Sequence, residues 1–396
     1  MDPDDFPTPD VTVDDISAAE LKRQVDAGED VTILDARMQS DFEEWRVDGD
    51  SVEIENVPYY EFLDEVDDDL LGRVPEGDPL VVLCAKGGAS EYVAGVLKEA
   101  GRDVVHLDEG MNGWARLYDL VEIEGYDGPG AVYQYQRPSS GCLAYLVVDG
   151  DEAAVIDPLR AFTDRYLADA EAMGSTLKYA IDTHIHADHI SGVRDLDDEG
   201  VRGVIPAAAV ARGVTYADVL ETVDDGDVLS VGDVDVEVVA TPGHTTGMTS
   251  YLVGDSLLAT GDGLFIESVA RPDLEEGDEG APDAARMLYE SLQERVLTLP
   301  DETLVAGAHF SDAAEPAEDG TYTAPLGDLV ARMDALTMDE DDFVELVLSD
   351  MPPRPGNYEE IIATNLGQRT AGDDEAFELE LGPNNCAASQ ESLAGD

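Results

Sequence analysis

The sequence predicts two α/β domains, the first built on a parallel sheet and the second strand rich with helices between its strands. Three observations carry this reading. At 396 residues the chain exceeds the usual size of one domain, and each half is long enough to bury its own core. In the first half short apolar runs, Val31 to Asp35 and Pro79 to Cys84, alternate with amphipathic stretches, which implies parallel pairing. In the second half three turns bearing candidate ligands each end or follow an apolar strand, as loops at one rim of a stacked β structure do.

Composition sets the conditions under which such domains are stable. The formal charge of −68 arises from 90 acidic residues against 22 basic ones, of which only four are Lys, and it is spread along both halves. Repulsion on that scale strains a fold at low salt. At molar salt the Debye length is about 3 Å, so repulsion is screened while the carboxylates hold water at the surface. With 43% apolar residues gathered in strand-like runs, the chain reads as a salt-adapted globular protein and not as a charge-driven disordered one. No basic patch supports a nucleic-acid or anionic-membrane partner. No apolar run approaches about 18 residues, and the start, Met-Asp-Pro-Asp-Asp, lacks the features of a signal peptide, so the expected location is cytoplasmic. Cys84, Cys142 and Cys386 stand at unrelated spacings that give neither a disulfide framework nor a zinc knuckle.

In chain order, the first ten residues are Pro and Asp rich and expected to fray. Ser17 to Gly28 reads as a capped helix with Leu21 and Val25 on one face. The strand from Pro79 runs into Cys84-Ala-Lys-Gly-Gly-Ala-Ser90, followed by a helix from Glu91 to Ala100. A thiol in a glycine-bearing loop at a helix N-terminus sits among backbone N–H groups that favour a thiolate or persulfide anion. The alternative is a small buried cysteine closing a core strand.

Residues 124–130, with three glycines and a proline, read as the linker between domains. A hairpin follows, Leu143 to Val148 and Ala153 to Ile156 around Asp149-Gly150-Asp151, then a helix near Asp164 to Met173. The strand at Leu177 to Ile181 leads into Thr183-His-Ile-His-Ala-Asp-His189, three imidazoles and a carboxylate in six positions. Strands are expected at Val234 to Ala240, Thr249 to Val253 and Ser256 to Ala259, a helix-bearing element at Pro352 to Gly367, and a weakly ordered acidic tail from Thr370 to Asp396. Of six histidines, His184, His186, His189, His244 and His309 all fall in this stretch or in two later glycine-flanked turns, Pro242-Gly243-His244 and Gly307-Ala308-His309. With Asp188 and Asp262 they form a metal-ligand set whose members loops at one rim can bring together.

Residues 10–123 resemble a single rhodanese domain. The likeness rests on Asp35-Ala36-Arg37, Asn56-Val57-Pro58, the Cys84 loop and the Leu107 to Trp114 segment. One departure is Ala89, where the family usually has Arg; Lys86 is the nearby cation. Residues 131–369 resemble the metallo-β-lactamase superfamily, which implies an αββα fold, and within it the persulfide dioxygenase branch related to glyoxalase II. Thr183 to Gly192, Thr241-Pro-Gly-His244, and Thr260-Gly-Asp262 followed by Arg271-Pro-Asp273 carry that likeness. Ala270 and Ser311 depart from the pattern, the latter where the relatives use a tyrosine to hold glutathione.

The resemblance implies roles. In the dioxygenases one Fe(II) per chain is held by residues matching His184, His244 and Asp262, leaving His186, Asp188, His189 and His309 outside the first shell. In glyoxalase II two Zn ions are held, by His184, His186 and His244 on one side and Asp188, His189 and His309 on the other, with Asp262 bridging. Cys84, Asp188, Arg271 and Asp273 are the candidate catalytic residues; Arg271 and Asp273 also read as a solvated ion pair. The implied function is an iron-dependent persulfide dioxygenase whose rhodanese-like domain carries sulfane sulfur, the fusion raising the effective concentration of one site's product at the other. A dinuclear zinc thioester hydrolase with a noncatalytic rhodanese-like module is the alternative. The expected partners are a low-molecular-weight thiol persulfide and O2, with a homo-oligomer admitted.

Unscreened repulsion among the excess carboxylates should outweigh a stability of about 5 to 15 kcal/mol, so folding should require salt. A thermal melt against KCl concentration is expected to show a midpoint that rises steeply toward molar salt; an unchanged midpoint contradicts the salt-adapted reading.

Overall fold

The computed structural model describes residues 6, 11–63, 66–311, 313–349 and 351–388. The chain divides into two compact units, Met1–Tyr118 with Arg137–Ser139, and Asp119–Gln136 with Ser140–Asp396. Apart from Phe6, the first ten residues lie outside the described residues, as do 389–396 of the expected tail.

In the first unit β1 (Asp14–Ile16), β2 (Val31–Asp35), β3 (Val52–Asn56), β4 (Leu80–Leu83) and β5 (Val104–Leu107) form one parallel sheet in the order β1-β5-β4-β2-β3. Alternation along β4 feeds two cores. Leu80 and Val82 pack with Val93, Ala94 and Leu97, while Val81 and Leu83 pack with Leu21, Met111 and Trp114. Both faces are thus covered, as an all-parallel sheet requires. The first helix spans Ala18–Asp26, and Ser17 Oγ accepts the Glu20 N–H at 3.2 Å. The helix after β4 spans Gly88–Glu99, three residues ahead of the expected Glu91. Gly87 adopts φ +92, open to glycine, and turns the chain directly into the helix.

The second unit is two sheets face to face. β6 (Asp119–Glu122), β7 (Ala131–Arg137), β8 (Cys142–Asp149), β9 (Glu152–Ile156), β10 (Thr176–Ile181), β11 (Arg202–Pro206) and β12 (Glu221–Val223) form the first, in the order β12-β11-β10-β9-β8-β7-β6. The second runs β13 (Val228–Val231), β14 (Val234–Ala240), β15 (Thr249–Val253), β16 (Leu257–Gly261), β17 (Leu304–Gly307) and β18 (Thr323–Pro325), each beside the next. Tyr145, Ile156, Ile181 and Val204 from one sheet interleave with Val236, Val238, Tyr251 and Val253 from the other in a common core. Helices Gly277–Ser291 and Glu340–Ser349 cover the outer face of the second sheet through Ala285, Leu288, Phe343 and Val347. Helix Thr163–Ala172 lies on the first, its Tyr166 ring edge-on to Tyr135. The order helix, sheet, sheet, helix is the αββα architecture.

Two expectations are corrected. Residues 124–130 are no linker between domains: they join β6 to β7, which pair antiparallel from Asp119↔Gln136 to Glu122↔Tyr133. Their glycines and proline make a hairpin connection, a use that composition alone does not separate from a linker. The segment from Thr370 is not a loose tail through residue 388. It carries a helix at Asp373–Leu379, buries Cys386, and bridges Ala387 to Ala270.

Gly110 adopts φ +56, and a methyl group there would lie 2.1 Å from the Cys84 carbonyl oxygen. Gly110→Ala is expected to destabilise the first unit by about 1–3 kcal/mol or more. Both tryptophans, Trp45 and Trp114, lie in that unit, so a denaturant titration followed by their fluorescence reads the loss. An unshifted midpoint contradicts the close approach.

Candidate metal centre

The metal stretch leaves β10 at Ile181 and is fastened from several sides. Asp157, at φ +53 beyond β9, accepts the Thr183 N–H at 2.7 Å and the Thr183 hydroxyl at 2.9 Å. Tyr251 donates its hydroxyl to the Asp182 carbonyl at 3.0 Å. Buried Asn365 donates to the His186 and His189 carbonyls at 3.0 and 2.8 Å and accepts the Ser191 N–H at 3.0 Å. His244 sits on the turn after β14, Asp262 just beyond β16 and His309 just beyond β17.

Hydrogen bonding fixes which imidazole nitrogen is free. The Thr183 hydroxyl gives its proton to Asp157, so its oxygen accepts from His184 Nδ1–H at 2.9 Å. His244 Nδ1–H donates to the Arg271 carbonyl at 2.9 Å. Both rings therefore present a bare Nε2, and neither Nε2 has a hydrogen-bond partner; Asp262 Oδ2 likewise has none. These three buried atoms converge, with His184 Nε2 and His244 Nε2 at 3.5 and 3.4 Å from Asp262 Oδ2. Separations of this size match two donors sharing an ion at bonds of about 2.1 Å. The donors are those of a two-His-one-carboxylate face, which suits a divalent metal.

The charges divide in the same way. Burial and the neighbouring His186 push His184 down to about 4, and burial also lowers His244, so both stay neutral lone-pair donors. Burial works against charge on the other three histidines as well, but carboxylates outweigh it. Asp157 raises His186 well above its usual value, Asp188 raises His189 to about 9 against burial and His186, and Asp262 and Asp188 raise His309. Asp262 and Asp188, although buried, are in turn held well below the usual carboxylate range, chiefly by His309. His309 spans them, Nδ1 to Asp262 Oδ1 at 2.6 Å and Nε2 to Asp188 Oδ2 at 2.7 Å. His186 Nε2 lies 3.2 Å from Asp157 Oδ1, grouped with Asp157 and Asp182 and apart from the His184 set.

Arg271 and Asp273 do not form a solvated pair: they are 1% and 3% exposed. The guanidinium grips Asp273 through Nε at 2.7 Å and Nη2 at 3.1 Å and donates from Nη1 to the Pro353 and Asn385 carbonyls. Arg354 donates to the same Asp273 at 2.8 Å. The Arg271 backbone, not its charge, meets the candidate ligands, through His244. Two cysteines that the sequence reading passed over also border the centre. Cys142 Sγ lies 3.2 Å from Asp188 Oδ2, and the Cys386 thiol, raised by burial and by Asp262, closes the side formed by Asp188, Asp262 and His309. Both fall far from the histidines in sequence, and no local motif marks them.

In the first unit Cys84 Sγ accepts the Gly87 and Ser90 N–H groups, each at 3.2 Å. Cys84 helps line a cavity of about 240 Å³, with Arg37, Met38, Tyr59, Lys86 and Ala89 among the others. Arg37 is committed to Asp35, at 2.7 Å, and to the Trp45 carbonyl.

Comparison with known proteins gives the same two parts. The model of the metallo-beta-lactamase superfamily matches residues 138–309, and that of the rhodanese-like domain matches residues 17–117. The mitochondrial persulfide dioxygenase ETHE1 of Bos taurus is 33% identical over 194 residues, covering 48% of this chain and 72% of that protein. A hydroxyacylglutathione hydrolase of Rhodobacter capsulatus is 34% identical over 242 residues, covering 60% and 81%. Among solved structures, ETHE1 from Myxococcus xanthus aligns at TM-score 0.50 with 29% identity, covering 60% of this chain and 98% of that one. Identity alone does not divide the oxygenase from the hydrolase.

Thr183→Val removes the oxygen that orients His184 while keeping the side-chain shape. Metal affinity, measured by competition with a chelator, is expected to fall about 10- to 100-fold. Unaltered affinity contradicts the assigned orientation of His184.

Proposed function

We propose that this chain, which belongs to the persulfide dioxygenase and glyoxalase II branch of the metallo-β-lactamase superfamily and carries an N-terminal rhodanese-like domain, oxidises a low-molecular-weight thiol persulfide to sulfite with O2, using one Fe(II) per chain. The observation that carries this reading is the sorting of the ligands. His184 Nε2, His244 Nε2 and Asp262 Oδ2 are free, converging donor atoms, on two imidazoles shifted toward the neutral form and one carboxylate held low. His186, His189 and His309 are instead turned to carboxylates. Fe(II) on such a face supplies open positions at which O2 and a persulfide sulfur can meet.

The chain's own residues do the rest. Thr183 and the Arg271 carbonyl hold the two imidazoles in one tautomer and orientation. His309, its pKa raised by Asp262 and Asp188 against burial, bridges the two buried carboxylates through Nδ1 and Nε2. The Arg271, Asp273 and Arg354 cluster anchors the loop whose carbonyl meets His244, which makes Arg271 and Asp273 positioning residues. Cys84, with two N–H donors on its sulfur, is suited to carry sulfane sulfur as a persulfide anion. Ser311, whose N–H is taken by Glu267 at 3.0 Å, stands where the relatives hold glutathione, which favours a different thiol carrier.

The hydrolase reading draws on the likeness to hydroxyacylglutathione hydrolase and needs both histidine sets to hold metal. The two readings separate on substitution. His244→Ala is expected to remove iron and lower persulfide-dependent oxygen uptake by about 100-fold or more, while His189→Ala keeps most of its iron. Cys84→Ser should leave sulfite production from supplied persulfide largely intact. Equal metal loss from both histidine variants, with rapid acyl-thioester hydrolysis and no oxygen uptake, overturns the proposal in favour of the hydrolase.

A further inference from the structure

The cavity beside Cys84 has walls whose charges cancel. Its lining carries two basic side chains, Arg37 and Lys86, and one acidic one, Asp41. Arg37 is committed elsewhere: its side chain is 3% exposed and grips buried Asp35 through Nε at 3.0 Å and Nη2 at 2.7 Å, and Nη2 also donates to the Trp45 carbonyl. Asp35 thus offsets the charge of Arg37, and Asp41 offsets that of Lys86 in number. Much of the remaining lining is apolar. Met38, Tyr59 and Ala89 face the cavity, and Phe6, also in the lining, sets its ring edge-on to Tyr59 at 5.2 Å. Five large apolar side chains are exposed among the described residues; Met38 is one, Tyr60, on the turn that Tyr59 opens, is another, and Leu63, at the end of that turn, is a third. In a chain with 90 acidic residues, apolar side chains gathered in the segments that build a cavity mark a place that meets an apolar group.

From this we infer that the Cys84 cavity takes sulfur from an organic sulfane-sulfur donor bearing an apolar group and at most a single negative charge, in preference to inorganic thiosulfate, and that Met38, Tyr59 and Ala89 set the preference. The inference rests on the reading of Cys84 as a sulfur carrier and names the class of donor that loads it. Thiosulfate brings two negative charges on a small polar body, and burying them without matching cations loses hydration that these walls do not restore. At the molar salt that this chain's charge calls for, attraction from a distance toward Lys86 is screened as well. Ala89 stands where the rhodanese family usually has Arg, so a methyl group lines the cavity in place of a guanidinium suited to grip an oxyanion. An aryl or alkyl donor instead lays its apolar group against Met38 and Tyr59, while the Gly87 and Ser90 N–H groups hold the Cys84 sulfur. In the transfer, the Cys84 thiolate attacks the donor's outer sulfur. A new S–S bond forms on Cys84 as the donor's S–S bond breaks, and the leaving group departs with the bonding pair, as a thiolate from an organic persulfide or a sulfinate from a thiosulfonate. Charge is conserved and no outside oxidant or reductant is needed.

The test compares thiosulfate, methanethiosulfonate and benzenethiosulfonate as donors to the full chain in molar KCl, with cyanide as acceptor and thiocyanate as the product measured. All three give up the same kind of outer sulfur and differ in charge and in apolar group. The kcat/KM for benzenethiosulfonate is expected to exceed that for thiosulfate by about tenfold or more, with methanethiosulfonate between them. Cys84→Ser should abolish transfer from all three. Met38→Ala, at an exposed position, should shrink the benzenethiosulfonate advantage by about threefold or more. Ala89→Arg should raise kcat/KM for thiosulfate by about tenfold. The donor ranking and Met38→Ala decide the matter even if Ala89→Arg does not fold. Thiosulfate equal to or better than benzenethiosulfonate in the unaltered chain, or an advantage that Met38→Ala leaves unmoved, overturns the inference and leaves Cys84 a sulfur carrier. Transfer that persists in Cys84→Ser, or thiocyanate from no donor with no gain of a sulfur atom in the mass of the chain, overturns the carrier reading along with it. Oxygen uptake plays no part in the readout, so failure here is distinct from failure of the oxygenase reading.

Discussion

Three buried donor atoms without partners, His184 Nε2, His244 Nε2 and Asp262 Oδ2, are the constraint around which the second unit is arranged. Leaving such atoms dry costs about 1–3 kcal/mol each, so the three together approach the whole stability of an ordinary domain. A fold tolerates that expense where a bound ion relieves it. The surrounding hydrogen bonds make sense in this light: each one fixes an imidazole so that its lone pair is offered inward.

Those supports come from distant parts of the chain. Asp157 beyond β9 acts through Thr183, Asn365 on a late helix ties down the carbonyls of the metal stretch, and Arg271 reaches His244 through its backbone. The segment after residue 370 closes the side of the centre at Cys386. The facing sheets supply the rigidity, because β10, β14, β16 and β17 all run toward the rim where their following loops meet.

Much of this was legible in the sequence, for identifiable reasons. The periods of β2, β10, β14 and β15 are short apolar runs that need no tertiary information, and their observed bounds fall close to those expected. The histidines stood out because the chain has so few. What the sequence hid depends on packing. Glycine and proline at 124–130 look alike in a linker and in a hairpin loop, and only the pairing of β6 with β7 decides. Arg271 and Asp273 carry the composition of a surface ion pair, and only burial shows them to be an anchor. Asp157, Asn365, Cys142 and Cys386 carry no motif, and their places follow from the closure of the fold.

The central claim is that one ion is held by His184, His244 and Asp262. Anomalous diffraction at the iron edge, from crystals of protein purified anaerobically with no metal added, tests it most directly. The account predicts a single iron peak bounded by His184 Nε2, His244 Nε2 and an Asp262 carboxylate oxygen. Two peaks about 3.5–4 Å apart, the second among Asp188, His189 and His309, would contradict it.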